Sequence, residues 1–103
     1  METKATAFKR GNPPEERNGF YGLEEQLIEH AQDAQPIVAI VTYRLDEVVS
    51  KAIAGETYPV VETFSIEPLH DAKAIAAAVK LRDAALKERT GIEQLDLPEV
   101  EGE

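Results

Sequence analysis

At 103 residues, with no cysteine and a formal net charge of −9, the chain has room for one domain and no means to build a disulfide or a thiolate metal site. The acidic balance repels phosphate and anionic lipid, so direct nucleic-acid binding and docking on an anionic membrane are not expected. No apolar run approaches the roughly 20 residues of a membrane span, and residues 1–19 lack the apolar core of a secretory signal, so the expected location is the cytoplasm.

Residues 1–19 are polar and carry Gly11-Asn12-Pro13-Pro14 at their centre. Two successive prolines remove two backbone donors and forbid a helix through them. These residues read as a disordered arm, ended by Phe20 and Tyr21, which pin the chain to a core. Leu23, Leu27, Ile28 and Ala31 then recur at helical spacing, which predicts a first helix over 22–34 that stops before Pro36.

The segment Pro36–Leu69 holds most of the β-branched and aromatic residues. Val41, Tyr43 and Leu45 alternate with Thr42, Arg44 and Asp46, as in a strand with two unlike faces. Val60, Phe64 and Ile66 alternate with Val61, Thr63 and Ser65 in a second strand. Glu62 falls on the parity of Val60 and Phe64, a local conflict. Ala54-Gly55-Glu56 supplies the turn. A second reading of 46–54 is a short helix capped by Asp46 and stopped by Gly55. After Pro68, Asp71 is a suitable N-cap for an alanine-rich helix over Ala72–Arg89, with Gly91 as its stop. Residues 92–103 form an acidic tail.

The expected fold is therefore α+β: a helix–β-hairpin–helix (α-β-β-α) domain over 20–91 with a two-stranded antiparallel sheet. A lone hairpin is marginal, and both of its strands are open edges. Pairing one edge with its copy would enlarge the core, so a homodimer is expected. The charge is uneven. Residues 1–18 are net +1, residues 19–35 net −4, residues 36–69 net −3, residues 70–92 net +2, and the tail net −5.

No residue pattern announces catalysis, and no cofactor or metal is expected. His30 stands beside Glu29 and near Asp33, a combination that can bind metal or move protons, but no third ligand follows at helical spacing. His70 fits a loop histidine before the Asp71 cap. Ser50 and Ser65 sit in no nucleophile motif. Glu62 and Glu67 lie on opposite parities and would not form an acid–base pair.

The tail offers one binding motif. Gln94-Leu95-Asp96-Leu97 resembles the first four positions of the bacterial sliding-clamp-binding pentapeptide, usually Gln-Leu-Ser/Asp-Leu-Phe. That resemblance implies a buried Gln94 and apolar anchors at Leu95 and Leu97. Pro98 stands where the motif has Phe, so the second pocket would be underfilled. The stretch Thr57-Tyr-Pro-Val-Val-Glu-Thr-Phe-Ser-Ile-Glu-Pro-Leu69 resembles small early-region proteins of tailed phages of actinobacteria. It implies a phage origin and a host-cell cytoplasmic location, and carries over no functional residue. The expectation is a small, non-catalytic phage accessory protein acting by protein–protein interaction. The alternatives are a replication or recombination accessory docking on the sliding clamp, and an acidic inhibitor or DNA mimic directed at a host nucleic-acid-binding protein.

Overall fold

The two long strands come from the β-rich middle of the chain. In the computed structural model, which describes residues 2–33 and 35–91, β3 runs over Ala39–Lys51 and β4 over Glu56–Pro68. The turn at 52–55 reverses the chain between them, and Gly55 takes φ +70° there, donating its N–H to the Lys51 carbonyl at 2.8 Å. A left-handed φ of this kind suits glycine because no Cβ meets the carbonyl. Residue 46 onward thus continues as strand, not as a short helix. The partners across the pair, Ser50 with Thr57 and Arg44 with Glu62, run in opposite directions, so β3 and β4 are antiparallel.

The expected two-stranded α-β-β-α fold is overturned by the residues read as a disordered arm. They contribute β1, Glu2–Thr3, and β2, Ala7–Phe8, both parallel to β4 on the side away from β3. Glu2 and Thr3 pair with Glu56 and Thr57, and Ala7 and Phe8 with Val60 and Val61. The sheet is four-stranded, and β4 is its centre. Hydrogen bonds from Lys4 N–H to the Thr57 carbonyl and from Lys9 N–H to the Val61 carbonyl, each 2.8 Å, tie the arm down. An isolated bridge between Asn18 and Ile66 resumes the same parallel direction after a 3-10 turn over Glu15–Arg17.

The gap between β1 and β2 has a local cause. The carbonyls of Gly55, Thr57 and Val61 all accept from the arm, so over 55–61 the odd-numbered backbone groups face it. Pro59 is the odd-numbered residue between them, and it has no N–H to give. Between the two pairings the arm advances from Thr3 to Ala7 while β4 advances only from Thr57 to Val60. The spare arm residue is taken up as a bulge beside the proline.

The helical elements are α1, Glu24–Glu29, followed by a 3-10 turn at Ala31–Asp33, and α2, Ala72–Thr90. The first is much shorter than the helix expected over 22–34. No side chain caps its start, since Leu23 occupies the N-cap, and the Glu24 carboxylate instead accepts from the Gly22 N–H at 2.8 Å. By contrast, α2 is capped at both ends. The Asp71 carboxylate accepts from the Ala74 N–H at 3.0 Å, and Gly91, at φ +85°, donates to the Lys87 carbonyl at 2.7 Å.

By contact, residues 2–19 and 41–66 make one compact unit, and residues 20–33, 35–40 and 67–91 make another. Apart from Pro13 and Pro68, Val60 is the one buried apolar side chain among the described residues, at the point where β2 joins β4. If the arm is a strand, the Lys4, Lys9 and Gly19 amides, which donate to β4 carbonyls, will exchange with deuterium more slowly than those of Arg10 and Gly11. Equal and fast exchange across residues 2–19 would show an arm that does not pair.

Candidate functional site

The sheet of the first unit has two unlike faces, and register fixes which side chains stand on each. Phe8 pairs with Val61, and its ring meets that of Tyr43 edge-on at 5.7 Å between centroids. Phe8 therefore reaches over β4 to β3, and the face holding Phe8, Val61 and Tyr43 also holds Val41 and Leu45 by alternation. This face is apolar and open: Phe8 is 67% exposed, Tyr43 50% and Leu45 58%.

The opposite face is charged. Ala7 pairs with Val60 there, and the Lys9 ammonium crosses β4 to lie 3.5 Å from the Asp46 carboxylate. Arg44 donates to one Glu62 oxygen through both Nε, at 2.8 Å, and Nη2, at 2.6 Å. The Phe64 ring receives two guanidiniums, Arg17 at 4.2 Å and Arg44 at 4.9 Å from its centroid. Arg17 Nε also donates to the Phe64 carbonyl at 2.9 Å. Lower on the sheet, Lys4 lies 3.7 Å from Glu56, and Lys51 lies 5.7 Å from the Tyr58 ring. Exposed ion pairs contribute roughly 0–1 kcal/mol each, and exposed cation–π contacts about 0.5–1 kcal/mol. Together they fix the arm on the sheet and leave the charges of this face matched to one another.

This arrangement explains the parity conflict at Glu62. The face that Val60, Phe64 and Ile66 mark as core by alternation is the charged one, and Glu62 belongs on it as the acceptor for Arg44. Sequence reading misses Phe8, Lys9 and Arg17 because they lie in a polar stretch without helical period. A signal is present: residues 1–18 are net +1 while residues 36–69 are net −3, and the structure joins these two stretches.

In the second unit, Phe20, Leu23, Leu27, Ile37, Leu69 and Ile75 line an open apolar cleft of about 210 Å³, with His70 in its wall. His30 is the C-cap of α1 and lines an adjoining hollow with Gln26 and Asp33. The two histidines thus border apolar clefts of the second unit. Gln94, Leu95, Asp96 and Leu97 lie outside the described residues. No helix among the described residues is long and apolar enough to cross a membrane. No family model, no curated protein and no solved structure matches the chain.

The hydrogen bond from Arg44 holds the Glu62 carboxyl below the usual carboxylate range, helped by the charges of Arg44, Lys9 and Arg17 and opposed by burial. Glu62 is thus more acidic in the folded chain than in the unfolded one. Its contribution to stability is complete above the unfolded value and is lost as pH falls through the folded one. Denaturant titrations across the acid range will show wild type losing stability in this window, while Glu62→Gln loses less and starts from a lower value at neutral pH. Identical pH slopes for the two proteins would show that the pair does not couple to folding.

Proposed function

We propose that this is a small non-catalytic accessory protein that works by protein–protein interaction. The observation that carries the reading is the contrast between the two faces of one sheet. On one face every acid and base named above has a partner within the chain. On the other, Phe8, Val41, Tyr43 and Leu45 stand exposed side by side. A contiguous apolar patch rimmed by charge is the usual mark of a contact surface. Its aromatic members add large area at little entropic cost, as binding anchors do.

The test is site-specific photocrosslinking in the cell that makes the protein. A photoreactive phenylalanine in place of Tyr43 will yield a protein adduct. The same group in place of Tyr58, on the charged face and on the central strand, will not. No adduct at Tyr43, or equal adducts at both positions, would defeat the assignment of the apolar face as the contact surface.

A further inference from the structure

The sheet has two edges: the broken one formed by the two-residue strands of the arm, and the outer side of β3. Among the described residues β3 pairs only with β4, and its residues are exposed along nearly the whole strand. The strand is thirteen residues long and contains no proline, one of the devices that blunt an edge. From the order of its side chains, we infer that this edge binds a second copy of itself, antiparallel, about a two-fold axis through Leu45. The inference rests on the protein–protein reading above and names the first partner.

Register selects the axis. In an antiparallel pair about a two-fold axis normal to the sheet, facing residues share a face, so the axis must pass through a residue. Leu45 is the midpoint of Ala39–Lys51, so an axis there gives the longest overlap of the two strands. It also sets Arg44 opposite the Asp46 of the second copy, twice by symmetry. An axis at Arg44, Asp46 or Glu47 would set like charge against like charge. An axis at Tyr43 would leave four of the thirteen positions unpaired and set Ile40 against Asp46. Opposite charges facing one another across a strand pair stabilise it, and like charges do the reverse. The guanidinium of Arg44 has five N–H donors and commits two nitrogens to Glu62, so it can serve a second carboxylate. The product is a sheet six strands wide, with the two Phe8–Tyr43–Leu45 rows meeting at the axis to make one continuous apolar face.

The absence of cysteine from the chain makes the geometry directly testable. Residues facing one another in an antiparallel pair have Cα atoms about 4.5–5.5 Å apart, within disulfide range. Leu45→Cys should therefore form a disulfide dimer under mild oxidation. The two copies of residue 47 lie four positions apart along the paired strands, roughly 13 Å, so Glu47→Cys should not. A charge exchange supplies the second arm. R44E and D46K should each weaken self-association by about tenfold or more, measured by sedimentation. An equimolar mixture of the two should dimerise again. In the mixed dimer the carboxylate introduced by R44E faces the ammonium introduced by D46K, and the native Asp46 of the first chain faces the native Arg44 of the second. A monomeric wild type at high micromolar concentration overturns the proposal. So does a dimer in which Leu45→Cys fails to cross-link, or in which both charge variants associate like wild type. So does a mixture that stays monomeric while each variant keeps the wild-type circular dichroism. If self-association fails while the Tyr43 adduct to another protein persists, only the self-pairing falls.

Discussion

Everything in the first unit depends on the arm being bonded to β4. An isolated hairpin of two strands is marginal in water, and this one has an exposed β3 on one side. The arm makes β4 a central strand, satisfies its second row of backbone groups, and buries Val60 where β2 joins. It then brings in three side chains the hairpin lacks. Phe8 reaches Tyr43, Lys9 reaches Asp46, and Arg17 stacks on Phe64. Each contact spans β4 or closes on it, so backbone pairing and side-chain pairing reinforce one another.

This construction separates two tasks that the amino-acid pattern places in a single segment. One face is an internal electrostatic lattice whose acids and bases answer each other. The other carries apolar residues that stand exposed. A sheet with one satisfied face and one hungry face is a natural unit for assembly, since association adds apolar burial without uncovering new charge.

The fold is legible in the sequence where local signals agree. Asp71 and Gly91 mark the ends of α2 because capping is decided within four residues, and the turn at 52–55 follows from Gly55 and the flanking alternation. Spacing alone overstates the first helix: Leu27 and Ile28 have the right period, but the α-helix covers only Glu24–Glu29 and gives way to a 3-10 turn at Ala31–Asp33. The arm escapes sequence reading for a different reason. Two-residue strands carry no periodicity, and their pairing partners lie more than fifty positions away. Non-local parallel pairing is invisible to window-based reasoning. Glu62 reads as an error on an apolar parity until Arg44 and the arm show which face is which. The tail motif, Gln94 to Leu97, remains a statement about sequence.

Pro59 has a meaning for the order of events in folding. The hairpin closes locally and early, while the arm must find β4 across a long loop and pays more closure entropy to do so. For that interval the arm-side edge of β4 is bare. A proline in the middle of it denies any intruding strand a continuous ladder, because one donor is always missing. The native arm tolerates the defect by bulging at the right place, between Thr3 and Ala7. A foreign strand without that spare residue meets a broken template. Pro59 thus acts as a lock on the waiting edge, and the arm's extra residue is cut to fit it.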